Sequence, residues 1–146
     1  MEKNLNAKVL LVDDEDDFLK TLTQRLEVRG LKVTGATRGE EAVDLVDKQE
    51  FDAIVIDLAM PGMDGLETLK QIKENHPEAE IIMLSGQGSI KKSTEAMKLG
   101  AEDFLEKPVD IQELLKKIAE AKGKRVLILQ EKSREEIENI LRSKAW

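Results

Sequence analysis

Residues Phe51–Gly65 read FDAIVIDLAMPGMDG, and the rest of the chain is organised around them. Ala53–Ile56 is an unbroken apolar run rich in β-branched side chains, which is typical of a strand buried on both faces. Asp57 follows directly, and a proline and glycines then mark a turn before the next helix. A lone aspartate after a strand more often bonds its own loop. Open α/β folds, however, place their chemistry at the carboxyl ends of such strands, so Asp57 is a candidate functional residue.

Short apolar runs alternate with amphipathic segments along the chain. The pattern predicts strands at Lys8–Val12, Leu31–Ala36, Ala53–Ile56, Ile81–Leu84 and Asp103–Leu105. It predicts helices at Asp16–Arg29, Glu40–Lys48, Leu66–Asn75, Ser89–Leu99 and from Asp110 through Ile118. This alternation implies right-handed βαβ units and a parallel sheet. Because the second and fifth strands are the least apolar, they suit the edges, which favours a doubly wound five-stranded α/β sheet in the order 2-1-3-4-5.

Composition excludes several classes of protein. The chain has 146 residues, 40% of them hydrophobic, which allows one compact domain with a remainder. It has no cysteine, so disulfides, thiolate metal sites and thiol catalysis are excluded. A net charge of −7 argues against direct contact with nucleic acid. With no membrane-spanning run and no signal-peptide core, we expect a cytoplasmic protein without membrane contact.

Polar side chains stand directly after four of the predicted strands. Asp13 and Asp14 follow the first, Asp57 the third, Ser85 the fourth and Lys107 comes shortly after the fifth. In the order 2-1-3-4-5 the switch point lies between strands one and three, so the three aspartates share a crevice. Carboxylates ~4 Å apart repel by about 4 kcal/mol per pair, so they need a cation. Oxygen ligands without His or Cys favour Mg²⁺ before Ca²⁺.

Bound Mg²⁺ favours phosphoryl chemistry, which makes Asp57 a candidate nucleophile toward phosphorus. Such a reaction needs charge neutralisation more than acid–base catalysis. Lys107 can supply a second positive charge, and the Ser85 hydroxyl can donate to a phosphoryl oxygen. Each of these residues alone is weak evidence, but their occurrence together at four strand ends is a strong signal.

Four stretches together resemble the receiver domain of two-component response regulators. They read VLLVDDED at residues 9–16, IVIDLAMPGMDG at 54–65, IMLSG at 82–86 and GAEDFLEKP at 100–108. The resemblance covers roughly Lys8–Ala121, and Ser89–Val109 is most similar to receivers of nitrogen-regulation-class activators. It implies a flavodoxin-like fold with a receiver domain at residues 6–121. Residues 122–146 are then a C-terminal extension, expected to be helical and to serve packing or dimerisation.

The resemblance also implies a mechanism. A sensor histidine kinase or a phosphotransfer protein would donate a phosphoryl group to Asp57. Mg²⁺ would be bound by Asp14 and Asp57, by Asp13 through water, and by the main-chain carbonyl of Ala59. The chain would then be a phosphoacceptor in phosphorelay signal transduction, catalysing only its own phosphorylation and dephosphorylation.

Three further roles follow from the same resemblance. Ser85 and Phe104 would be a switch pair: the serine moves toward the phosphoryl group and the phenylalanine turns inward. The face formed by helix four, strand five and helix five would change in response and act on a downstream protein target. Ala59 and Gln87, two residues past Asp57 and Ser85, would tune the lifetime of the phosphoryl group.

Three other functions compete with this interpretation. A Mg²⁺-dependent phosphatase of the haloacid-dehalogenase type would need an acid/base aspartate two residues past the nucleophile, where this chain has Ala59. A flavin or nucleotide binder would not place the acidic run Asp13–Asp17 at its phosphate site. A phosphorylation-independent adaptor would not need the intact set of site residues.

The C-terminal extension contains two further sequence features. Val126–Leu129 is apolar throughout, and Ser133 and Glu136 have the spacing of a capping box that would begin a new helix. Its apolar residues would either pack back on the same domain or form a surface for a homodimer or another partner.

Overall fold

The computed structural model describes residues 6–60, 62–86 and 90–143. Its strands are β1 (Lys8–Val12), β2 (Lys32–Ala36), β3 (Ala53–Asp57), β4 (Ile81–Ser85) and β5 (Asp103–Glu106). Its helices are α1 (Asp16–Glu27), α2 (Gly39–Lys48), α3 (Gly65–Asn75), α4 (Ile90–Lys98) and α5 (Ile111–Ser143). The predicted start of α4, Ser89, lies outside the described residues. None of the described helices is both long enough and apolar enough to span a bilayer.

The five strands form one parallel sheet in the order β2-β1-β3-β4-β5, as the strand composition predicted. Every residue of β3 and β4 is buried, and so are the last four residues of β1. The edge strands β2 and β5 are only partly buried. The order follows because only a strand covered by helices on both faces needs a fully apolar run. The doubly wound fold is thereby confirmed.

Alternating side chains of each strand feed two separate cores. Leu10, Ile54 and Met83 point to the face that α2, α3 and α4 cover. Leu11, Val55 and Ile82 point to the other face, which α1 and α5 cover. The strands are therefore held from both sides, and their polar carboxyl ends take no part in this packing.

Helix α5 differs from the prediction. It runs without a break for 33 residues, across both the predicted end near Ile118 and the boundary near Ala121. Ser133 lies inside this helix, so the capping box predicted at Ser133 and Glu136 does not begin a new one. The motif was misleading because its residues are also tolerated within a helix, and no proline or left-handed glycine precedes it to end α5.

Candidate functional site

The register of the sheet brings three aspartates to one edge. Val12 of β1 is paired with Ile56 of β3, so the residues that follow both strands are neighbours. Asp13, Asp14 and Asp57 each offer a carboxylate oxygen, and these oxygens all lie within 4.8 Å of one another. Asp13 is fully buried and Asp57 is 4% exposed, whereas Asp14 faces solvent. The arrangement is a pocket of carboxylates that is open on one side.

Lys107 connects this cluster to the other half of the sheet. Its Nζ lies 2.8 Å from Asp13 Oδ2 and 3.6 Å from Asp57 Oδ1. Its main-chain N–H donates to the carbonyl of Ser85 at 2.8 Å, which fixes the segment after β5 against the end of β4. One lysine thus faces two buried carboxylates.

The environment of Asp57 raises the pKa of its carboxyl group from 3.8 to about 6. Burial is the largest cause, because an ionised carboxylate loses hydration there. The negative charge of Asp13 adds to it, while Lys107 and a hydrogen bond from the main chain of Ala59 act in the opposite direction. Asp57 is therefore ionised at neutral pH, but its charge is only partly compensated.

The pKa of Lys107 is raised above its ordinary value by the same cluster. Burial acts to lower this pKa, but the hydrogen bond to Asp13 and the negative charge of Asp57 outweigh it. The lysine is therefore positively charged at neutral pH and stays available as a fixed cation.

Gly65 allows the turn after β3 to close tightly. A Cβ at this position would lie 2.3 Å from the main-chain oxygen of Asp57 and 2.7 Å from the Cα of Leu58. Its N–H donates to the carbonyl of Leu58, and α3 begins at once, capped by Asp64, which accepts from Glu67 N–H at 2.9 Å. The sequence marked Gly65 only as a turn residue, yet it sets how closely α3 approaches Asp57.

The remaining predicted residues lie around the cluster. Ser85 is buried at the end of β4, and its Oγ donates to the carbonyl of Gly86 at 3.2 Å. Phe104 on β5 points outward and is 38% exposed. Ala59 is exposed, and its main-chain N–H is directed at Asp57. Gln87 lies outside the described residues. The roles of these four residues stay predictions.

Phe18 is a residue of the site that the sequence did not indicate. The Nζ of Lys107 lies 4.2 Å from the centre of its ring, so the lysine is held between a carboxylate and an aromatic face. At helical spacing Phe18 reads as an ordinary core residue of α1. Only the contact between α1 and the segment after β5 reveals it, and neither segment carries that signal alone.

The donor set fits a hard divalent cation. All three candidate ligands are carboxylates, with no sulfur or imidazole among them, and their oxygens are close enough to share one ion. Lys107 supplies one positive charge to this group of three carboxylates. The cluster therefore favours Mg²⁺ over the softer transition metals.

Comparison with known proteins agrees with this geometry. The family model of the response regulator receiver domain matches residues 9–119. The transcriptional regulatory protein CpxR of Escherichia coli K12 is 38% identical over 111 residues, which are 76% of this chain and 47% of CpxR. The chain thus spans about half the length of this curated relative.

Solved structures give the same result. A response regulator receiver domain from Clostridium thermocellum superposes with a TM-score of 0.80 at 32% identity, covering 84% of this chain and 98% of that one. The receiver domain of NtrX from Brucella abortus, as the resemblance to nitrogen-regulation proteins led us to expect, gives 0.75 at 31%, covering 79% and 98%. The chain belongs to the family of response regulator receiver domains of two-component systems.

Proposed function

We propose that this chain is a phosphoacceptor and that Asp57 receives a phosphoryl group from the phosphohistidine of a sensor kinase or a phosphotransfer protein. One observation carries the proposal. The buried carboxylate of Asp57 lies 3.6 Å from the ammonium of Lys107, inside a cluster of three carboxylates at the edge of the sheet. A structural ion pair would need one carboxylate, and the excess negative charge is explained by a site that receives a cation and a phosphoryl group.

In the transfer, an oxygen of Asp57 forms a bond to phosphorus while the phosphorus–nitrogen bond of the donor breaks. The electron pair stays on the leaving imidazole, which takes up a proton. The product is an acyl phosphate. Lys107 is positioned to stabilise the negative charge of the phosphoryl oxygens, because the hydrogen bond to Asp13 keeps its ammonium at the cluster.

Asp13, Asp14 and Asp57 would hold Mg²⁺, together with the main-chain carbonyl of Ala59. When bound, the ion supplies charge neutralisation for the transferring group. The chain's own contribution is orientation. The tight turn at Gly65 fixes the backbone of Asp57, and the register of β1 against β3 fixes the distance between the aspartates.

The proposed consequence of phosphorylation is a change in the surface of the protein. We propose that the Ser85 hydroxyl, now bonded to its neighbouring carbonyl, turns to the phosphoryl group and that Phe104 then moves into the space it leaves. Phe104 of β5 and Met97 of α4 are both exposed, and movement of Phe104 would alter the surface offered to a protein target. Population shifts of this kind need about 5.5 kcal/mol of differential interaction to go from 1:99 to 99:1.

The partners are proteins in this proposal. CpxR is named a transcriptional regulator, but less than half of it is matched by this chain, so that activity is not carried over. The net charge of −7 argues against a nucleic-acid surface. A phosphatase acting on external substrates is disfavoured because the side chain two residues past Asp57 is the methyl group of Ala59.

The test is labelling with acetyl phosphate and Mg²⁺, followed by intact-mass spectrometry and peptide mapping. One phosphoryl group should be added, at Asp57, and a chelator should prevent it. Asp57→Asn should stay unlabelled, whereas Asp44→Asn, a matched change at an exposed position of α2, should be labelled like the wild type. Full labelling of Asp57→Asn, or labelling that survives the chelator, would show the proposal to be wrong.

A further inference from the structure

A cavity lies at the amino edge of the sheet, at the opposite end of β3 from Asp57. It has a volume of about 230 Å³ and is lined by the end of α2, the segments that follow α2 and α3, the start of β3 and one residue of α5. Ile54 of β3 is part of the lining, and Asp57 ends the same strand. At ~3.3 Å per residue these two positions are roughly 10 Å apart, so the cavity is separate from the acidic cluster.

Arg125 of α5 is the residue on which this cavity depends. It is only 9% exposed, and it lines the cavity. The oxygens of Glu50 and Asp52 lie 3.6 and 3.8 Å from its terminal nitrogens, which is too far for direct hydrogen bonds. A guanidinium has five N–H donors, and none of those of Arg125 donates a hydrogen bond within the described part of the chain. Because a buried charge with unused donors is unfavourable, the cavity favours a ligand that accepts from it.

The two carboxylates near Arg125 do not satisfy it. Asp52 accepts a hydrogen bond from the main-chain N–H of Lys8 at 2.8 Å through its other oxygen. The side chain of Glu50 is 84% exposed, so water screens its charge. Neither forms the paired contact that a guanidinium makes with a carboxylate at hydrogen-bond distance. A carboxylate on a ligand inside the cavity would supply that contact.

The side of the cavity next to α2 and the segment after α3 has the opposite sign. Asp47 and Glu78 line it, and each faces one ring nitrogen of His76, at 2.8 and 3.8 Å. Helices α2 and α3 both end here, and the carboxyl end of a helix carries partial negative charge. Lys48 in the lining and Lys132, 3.8 Å from Glu78, are both exposed, so their charges are screened. This side therefore favours a positively charged group.

Between the two charged sides the cavity has an apolar floor. Phe51, Ile54 and Ala79 line it, and all three are buried. Pockets for drug-sized ligands measure about 300–1,000 Å³, so this smaller cavity suits a small molecule. A short hydrocarbon part would lie on the floor, with one charged group of the ligand on either side of it.

We propose that this cavity binds a small zwitterion of the amino acid class, with its carboxylate on Arg125 and its ammonium group toward Asp47 and Glu78. A simple anion would meet the carboxylates on the α2 side, and a simple cation would meet the guanidinium. Only a ligand that carries both charges is matched at both ends. Because Arg125 is the last buried residue of α5, a bound ligand would tie this helix to α2 where the helix leaves the sheet.

The test is isothermal titration calorimetry of the full chain, without phosphodonor, against the standard amino acids, β-alanine and γ-aminobutyrate. We expect at least one of them to bind with a Kd in the millimolar range or below. The carboxylic acid and the amine with the same carbon skeleton, each lacking one of the two charges, should bind at least about tenfold more weakly. No binding by any of these compounds at millimolar concentration, or equal binding by an analogue that lacks one charge, would overturn the proposal.

Two pairs of variants locate the ligand. Arg125→Met should weaken binding at least about thirtyfold, whereas Arg134→Met, at an exposed position of the same helix, should leave it unchanged. Asp47→Asn keeps a hydrogen-bond partner for His76 but removes the negative charge, and it should weaken binding about fivefold. Asp44→Asn, also on α2, is its matched control. Far-UV circular dichroism checks that each variant is folded. Wild-type binding by folded Arg125→Met, or by Asp47→Asn, would contradict the assignment.

A spectroscopic readout separates this site from the chemistry at Asp57. The chain has one histidine, so the ring of His76 gives a single set of imidazole signals in NMR spectra. The amino acid that binds should shift these signals in the wild type and equally in Asp57→Asn, but not in Arg125→Met. Binding in the calorimeter that leaves the imidazole signals of the wild type unchanged would place the ligand elsewhere and refute the proposal.

Discussion

Replacing Asp57 by asparagine should make the protein more stable at neutral pH in the absence of divalent ions. The carboxylate is 4% exposed and has its pKa raised to about 6, chiefly by burial and then by Asp13. An unfolded chain has no such environment, and the ordinary value is 3.8. Ionised Asp57 therefore opposes folding, and a neutral amide of nearly the same shape removes that opposition.

The magnitude follows from linkage. A raised folded-state pKa means that the folded protein binds the proton more tightly between pH 3.8 and 6, so stability falls as the pH rises through that window. At about 1.4 kcal/mol per pH unit, the ionised group costs about 3 kcal/mol at pH 7.5 and about 1 kcal/mol at pH 4.5. Asp57→Asn should gain these amounts. For a chain of this size the gain at pH 7.5 is a rise of roughly 9 °C in Tm.

Urea unfolding followed by far-UV circular dichroism, with chelator present, measures the difference at both pH values. Other titrating groups, including Glu80 with its own pKa raised to about 6, are common to both proteins and cancel. Asp44→Asn is the control and should change stability little at either pH. Equal stability of wild type and Asp57→Asn at pH 7.5, or a gain that does not shrink at pH 4.5, would refute the reasoning.

Four further outcomes are expected. Millimolar Mg²⁺ should raise the Tm of the wild type and raise that of Asp57→Asn much less, since the variant lacks one ligand. Lys107→Met should abolish labelling by acetyl phosphate and lower the free energy of unfolding by roughly 2 kcal/mol, because buried Asp13 loses its partner at 2.8 Å. Phe18→Leu should slow labelling about fivefold through the loss of about 1 kcal/mol of cation–π interaction, whereas Phe18→Tyr should retain the wild-type rate. Gly65→Ala should lower the free energy of unfolding by several kcal/mol, because its methyl group meets main-chain atoms of the turn, while Gly123→Ala should not destabilise.

The fold could be predicted because its determinants are local. The fully apolar runs at β1, β3 and β4 specify strands covered on both faces, and the weaker β2 and β5 are left for the edges. The unbroken course of the last helix could not be predicted in the same way. A capping box at Ser133 has the same sequence whether the chain turns there or continues, and the continuation of α5 depends on what precedes it.

The site residues fall into the same two groups: those that local sequence predicts and those that depend on contacts across the fold. Asp13, Asp57 and Lys107 could be brought together from sequence because each directly follows, or nearly follows, a strand of known place in the sheet. Phe18 and Gly65 matter through contacts across the fold: a ring facing Lys107 and a missing Cβ facing the Asp57 carbonyl. Such contacts depend on how α1 and α3 are seated, which no local pattern reports.

Packing residues and candidate site residues occupy different positions along the central strands. The apolar residues of β3 and β4 and residues Val9–Val12 of β1 are buried, and they specify packing. The carboxyl ends of β1 and β3 instead carry three carboxylates, since Asp13 and Asp14 follow β1 and Asp57 ends β3. Burial, and then the charge of Asp13, raise the pKa of Asp57 to about 6, so the ionised carboxylate of Asp57 does not stabilise the fold. An arrangement that opposes the fold and is nevertheless held in place by a tight turn and a fixed lysine is explained by what it binds, which is the argument for a cation and a phosphoryl group at this edge.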